Sequence, residues 1–253
     1  ERMLYVIPVL PPMFQWLQSF KKSGKCPTSS TIKRAFCDET FVNLYSKFII
    51  KEVSHSNIYR RELVFFTSML ITSIASLSAS GSNGLSNVIA LSLESSSALM
   101  ASAKNESKIS AYTILAVISS AVPLSKDVIV ASIDTVLTTL NGVFTISALK
   151  CILKLYYTIQ TDSLDPLPSS IFSKLPENLL KDYQDTIFST NENKKFMIAY
   201  IRGALREQGA MLNIMNTLEL LGKFGITKKE FSLIEQDALE IVSKDNNHDL
   251  GGY

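Results

Sequence analysis

The side chains best suited to chemistry are few and lie far apart. His55 sits in the polar stretch Ser54-His55-Ser56-Asn57, and His248 lies near the end of the chain; these are its two histidines. Neither has a sequence neighbour that would orient it as a general base or complete a metal shell. Cys26, Cys37 and Cys151 lack the paired spacing of a zinc knuckle and form no disulfide framework. Reduced thiols in an intracellular protein are the simplest reading. The sequence also has no Walker A loop, dinucleotide fingerprint, GxSxG elbow or HExxH helix. The expectation is a protein that is not an enzyme, with no catalytic residue, cofactor, metal or small-molecule substrate.

Binding chemistry is better represented. Lys21, Lys22 and Lys25 form a dense basic patch beside Phe20 and Trp16, with Lys33 and Arg34 a helix away. Such a patch suits a phosphate backbone, and it equally suits a solvated helix end. Trp16, the single tryptophan, reads either as a core residue or as a partner-contacting anchor. Arg202 and Arg206, four apart on one helix face and followed by Glu207, would grip an acidic peptide or simply keep the surface soluble. Tyr156-Tyr157 is a comparable case, and Asn191 to Lys195 reads as an exposed loop and helix start. The formal net charge is +2, too small to argue for nucleic acid alone. Residues 1–61 hold ten Lys/Arg against four Asp/Glu, and 219–253 hold four against seven, a polarity able to steer a partner or to serve as ordinary surface.

The elements that carry these residues have helical periods. Pro11-Pro12 starts a helix over Met13 to Lys22 that Gly24 ends. Pro27-Thr28-Ser29-Ser30 turns and caps a short helix holding Ile32 and Phe36. Asp38 caps a helix in which Phe41, Leu44, Tyr45 and Phe48 share a side. A long helix follows from about 58 to 77, and Gly81-Ser82-Asn83-Gly84 makes a loop. Helices are expected over 86–103, 108–121 and 126–140, with Pro123 turning the chain and Ser125 capping. Asn141-Gly142 closes that run before a helix over 143–160. Prolines at 166, 168 and 176 mark a connector to a short helix ending near Leu175 and a longer one over 177–189. Asn191 caps 193–213, with Gly209 a soft spot; Gly222 or Gly225 closes the next stretch, and Thr227 caps a last helix to about Val242.

A hydrophobic fraction of 46% with mean hydropathy +0.18 suits helices buried on two faces. The 33 serines, many inside apolar runs, let helices approach closely. β-branched residues over 109–122 and 128–140 favour strand by propensity, but the length and the i, i+3, i+4 pattern favour helix. The apolar run 64–77 is broken by Thr67, Ser68, Thr72, Ser73 and Ser76 and reads as a buried helix, not a membrane span. No signal peptide is visible, and the immediate apolar start after Glu1 reads as a cut from a longer protein. Helix pairs of 35–45 residues without a crisp consensus give an all-α fold, an irregular α-α superhelix of HEAT-like (armadillo-type) repeats, with a compact helical bundle as the alternative. It is expected to be one domain over 1–253, with 244–253 a flexible tail.

Pro8 to Leu17 (PVLPPMFQWL), Pro27-Thr28-Ser29-Ser30 leading to Ile32 and Phe36, Phe41-Val42-Asn43-Leu44-Tyr45, and Ile114 to Ser125 resemble the N-terminal region of a family. It is that of the very large HEAT-repeat U3 small nucleolar RNA-associated proteins of fungi, whose animal relative is called HEAT repeat-containing protein 1. The resemblance implies a structural subunit of the UtpA (t-UTP) assembly in the small-subunit processome, in the nucleus and nucleolus. It implies binding to other UtpA subunits, notably helical C-terminal domains of β-propeller proteins. Contact with the U3 snoRNP and the 5′ external transcribed spacer of pre-ribosomal RNA is implied to be indirect, and no membrane partner is implied. Direct pre-rRNA binding and a HEAT-like adaptor role outside ribosome biogenesis are the alternatives. The resemblance marks no site; the candidate contacts remain Trp16, Lys21, Lys22, Lys25, Arg202 and Arg206.

Overall fold

The computed structural model describes residues 9–140, 145–158, 165–176, 179–187, 189–190, 193–206, 222 and 227–248. The apolar start at Met3 to Ile7 and the positions Asn141, Gly142, Asn191, Glu207, Gly209 and Gly225 lie outside the described residues. Every regular element among the described residues is helical. The chain divides into two compact units, Glu1–Pro123 and Leu124–Tyr253.

In the first unit a 3₁₀ turn, Pro12–Leu17, leads into α1 (Gln18–Ser23), which stops at Gly24 in the left-handed region (φ 69°). The next helices are α2 (Ser29–Phe36), α3 (Glu39–Ser54), α4 (Arg60–Ser80), α5 (Leu85–Ala101) and α6 (Asn105–Ala121). Local chemistry sets their ends. The Thr28 and Asp38 side chains accept the Thr31 and Phe41 N–H groups at 3.3 and 2.9 Å. Glu62 reaches back to the Tyr59 N–H at 2.9 Å, and left-handed Gly81 (φ 62°) ends α4, with the Gly81 and Ser82 N–H groups donating to the Ser78 and Leu77 carbonyls at 3.3 and 3.2 Å.

Packing in this unit pairs each helix with its neighbour and with the helix after that: α5 lies on α6 and α4, α3 lies on α5, and α2 on α4. Side-chain ties fix the register. At the start of α6, Lys104 donates to the carbonyls of Ser56 and Ile58, just ahead of α4, at 2.9 and 2.8 Å. At the other end Ser78 of α4 donates to the Ala121 carbonyl of α6 at 3.2 Å. Helices α4 and α6 are therefore parallel and level at both ends. Asn87 at the start of α5 donates to Glu39 at the start of α3 at 2.7 Å, so that pair is parallel and level too. Two layers of parallel helices linked as antiparallel pairs are the arrangement of HEAT-like repeats.

Helix α4 is 21 residues long with a mean hydropathy of 1.7 over its apolar window, enough by length and composition to cross a membrane. Here its stripe Leu63, Phe66, Met69, Leu70, Ser73 and Ile74 is buried among α2, α3, α5 and α6. The serines make that closeness possible: the Ser73 hydroxyl donates to the Phe36 carbonyl, which α2 leaves unpaired at its end. On α5, Ser92 and Ser95 return their hydroxyls to carbonyls four residues back. One expected face is corrected. Leu44 is 40% exposed, because α3 buries Val42, Ser46, Ile49 and Val53 against α4 and α5, turning the stripe about one residue away from Leu44.

The second unit contains α7 (Lys126–Thr138), α8 (Ile146–Tyr157), the single turns α9 (Ser169–Phe172), α10 (Leu179–Asp182) and α11 (Gln184–Ile187), then α12 (Lys194–Arg206) and α13 (Lys228–His248). Ser125 and Thr145 cap α7 and α8. Thr227 and Glu230 form a reciprocal capping box, at 3.3 and 2.7 Å, and α13 runs past the expected end at Val242. The long helix expected over 177–189 is instead two short turns broken at Tyr183. Leu179 and Ile187 are buried and Tyr183 half-buried, so the two turns keep one apolar side at i, i+4 and i+8. Extended residues 165–168 lie along α12, where the Leu167 N–H donates to the Ala199 carbonyl at 2.9 Å. Gly203 permits the approach: a Cβ there would stand 3.3 Å from Leu167.

Candidate interaction surface

In the first unit, Trp16 packs edge-on against Phe41 at 5.9 Å in an aromatic cluster with Phe14, Phe36 and Tyr45. Its indole N–H is shielded from solvent and has no acceptor among the described residues. Lys22 and Lys25 are exposed and Lys21 half-buried, flanking the Gly24 turn at the end of α1; Lys33 and Arg34 are exposed on α2. Cations in the last turns of α1 and α2 also suit the negative ends of those helix dipoles.

In the second unit, Arg202 and Arg206 converge on Asp237 of α13, an acid that sequence reading missed. Arg202 grips it with Nε and with Nη2, the latter at 3.2 Å, and Arg206 Nη2 donates at 3.0 Å. The Asp237 side chain is 2% exposed, whereas that of Arg206 is 52% exposed. About two turns up the same pair of helices, Lys194 meets Glu230 at 2.6 Å. The acids are seven apart on α13 and the cations eight apart on α12, so these helices also run parallel. Burial acts to raise the Asp237 pKa, but hydrogen bonds and charge from Arg202 and Arg206 outweigh it and hold the carboxyl below its usual range. Glu230 is lowered in the same way, burial being outweighed by Lys194 and Thr227. The two arginines thus have an intramolecular partner. A signal existed in the sequence, the seven-residue spacing of Glu230 and Asp237 on one helix face, but it has meaning only once α12 is known to lie alongside.

Tyr156 and Tyr157 part company. Tyr156 donates to the Asp165 carbonyl at 3.3 Å and packs edge-on against Phe196, and burial pushes its phenol well up. Tyr157 is exposed under Lys154, whose ammonium lies 5.2 Å from the ring centre. Cys151 is buried, and that burial pushes its thiol up to about 12, outside the range of a reactive thiolate. No group of three or more metal-binding side chains gathers among the described residues.

Comparison with known proteins gives a consistent result. Residues 85–204 match the family model described as U3 small nucleolar RNA-associated protein 10. Relatives bearing that name include those of Saccharomyces cerevisiae, 34% identical over 94% of this chain, Kluyveromyces lactis, 32% over 95%, and Candida glabrata, 31% over 95%. The chain spans 14% of the length of each of these three.

Proposed function

We infer, from the chain's membership of the U3 small nucleolar RNA-associated protein 10 family, that it serves as a non-enzymatic scaffold in nucleolar ribosome biogenesis. In this reading its helical surfaces hold other protein subunits of the UtpA (t-UTP) assembly, helical C-terminal domains of β-propeller proteins among them. The small-subunit processome then forms around the 5′ external transcribed spacer, and processing towards 18S rRNA follows. The observation that carries the reading is similarity along 94% of the chain to the Saccharomyces cerevisiae relative of that name. The level, parallel stacking of the first unit supports it physically, because a preformed surface binds with little loss of ordering entropy.

The basic patch at Lys21, Lys22 and Lys25 supports the competing role of a direct pre-rRNA platform. A pull-down of the chain against separately purified UtpA subunits and labelled 5′ spacer RNA, at low and moderate salt, separates the two. Retention of a protein subunit at moderate salt with RNA lost is the expected result. Salt-sensitive RNA capture without any protein partner would overturn it.

A further inference from the structure

Between the level helices α3 and α5 runs a groove of about 320 Å³. Its floor is apolar, formed by buried Val42 and Val88 with half-buried Leu91; its rim carries Glu39, Asn87 and Glu94. Glu39 is engaged by Asn87, but Glu94, the one charged residue of α5, is exposed and joined by no ion pair to a described side chain. No cation among the described residues lines the groove. Asn87 stands level with Glu39, and Glu94 is seven residues further on, so the two carboxylates lie roughly 10 Å apart along the helix axes at 1.5 Å per residue.

The second unit shows what such a row of acids receives. Glu230 and Asp237, seven apart on one helix and so with the same axial offset as the groove's two acids on facing helices, take Lys194 and Arg202 from a helix lying parallel beside them. We propose that the α3–α5 groove is a docking site for a helix of a partner protein that carries two lysines or arginines seven or eight positions apart. Apolar residues between them would meet the valine floor. Charge complementarity selects this occupant: a groove with acids at both ends and an apolar centre suits aliphatic stems with cationic heads and repels nucleic acid. The proposal deepens the scaffold reading and rests on it for the identity of the partner class, while its geometry belongs to this chain.

The test uses the 253-residue chain and a fluorescein-labelled 18-residue helical peptide of alanine, leucine and glutamine with two lysines seven apart. Its counterpart has glutamates at those positions. Anisotropy at low salt should show binding of the lysine peptide and not the glutamate peptide. Glu94→Lys should weaken binding at least tenfold and Glu94→Gln by a smaller factor, while Glu235→Lys on exposed α13 surface leaves it unchanged and helical circular dichroism melts stay the same. Equal binding by Glu94→Lys and the parent, or no binding by the parent, would overturn the site. The same variant run in the subunit pull-down separates the two readings. Subunits held equally by parent and Glu94→Lys remove the groove and leave the scaffold. Glu94-dependent peptide binding with no subunit retained keeps the groove and removes the scaffold.

Discussion

The two units of this chain hold parallel helices together by different means. Residues 1–123 contain 23 of the 33 serines and 124–253 contain 10, a difference that tracks how the helices meet. In the first unit, ring clusters, apolar stripes and small hydroxyls bring backbones close, and hydroxyls on α4 cap the carbonyl ends of α2 and α6. In the second, charged pairs tie α12 to α13, Lys126 to Asp165 and Lys174 to Asp134. Both solutions give level, parallel neighbours. The first rests mainly on packing, with Lys104 and the Asn87–Glu39 bond fixing register; the second relies more on ion pairs.

The contrast can be broken most severely at the centre of the ring cluster. Phe41→Ala removes the ring that meets Phe14, Trp16, Phe36 and Tyr45, and it should cost about 4 kcal/mol. Hydrogen exchange read by mass spectrometry should show the loss across α2 to α4 and spare α12 and α13. Asp237→Ala should do the reverse. It strands Arg202 in a largely buried position, so a cost of about 3 kcal/mol is expected, seen as lost protection of α12 and α13 with the first unit unaffected. Uniform loss over both units in either variant would show that the two are not separately stabilised.

Acid sharpens the same division. Asp237 and Glu230 have folded pKa values below their ordinary 3.8 and 4.5, so the native state binds fewer protons than the unfolded chain in that interval. Their stabilisation is complete above the ordinary carboxylate range and is lost as pH falls through the lower folded values. Exchange protection of α13 should be flat from pH 7 to about 5 and should decline below about 4, ahead of any change in α4. The smallest effect belongs to Ser96→Ala. The Ser96 hydroxyl is buried with no partner among the described residues, so its removal should shift stability by under about 1 kcal/mol, in the stabilising direction, in urea denaturation.

Local chemistry made much of the fold legible. Thr28, Asp38, Ser125 and Thr227 cap the helices expected of them, and Gly24 and Gly81 end theirs, because a cap involves only residues three or four apart. What needed a neighbour's position stayed hidden. Leu44 keeps a helical spacing with Phe41 and Phe48 yet faces solvent, since α4 and α5 decide which stripe of α3 is covered. Leu179, Tyr183 and Ile187 keep helical spacing, yet Leu179–Asp182 and Gln184–Ile187 form separate single turns. Arg202 and Arg206 meet Asp237 from 35 and 31 positions away, and Glu94 gains meaning only beside α3, with which α5 lies level. Pairing at such separations leaves no trace in a window of a few turns.

Helix α4 carries a consequence for the birth of the chain. Its apolar stripe finds cover from α5 and α6, which are encoded after it and end at Ala121, about 40 residues beyond Ser80. At roughly 5–20 residues per second of synthesis, the part of that face turned to α5 and α6 waits about 2–8 seconds for its cover, α2 and α3 having been made first. During that interval the nascent segment offers an 18-residue window long and apolar enough, by length and composition, to cross a membrane. The serines along its length and the arginines at its start then act in time as well as in space, lowering its appeal to a bilayer until its cover has been made.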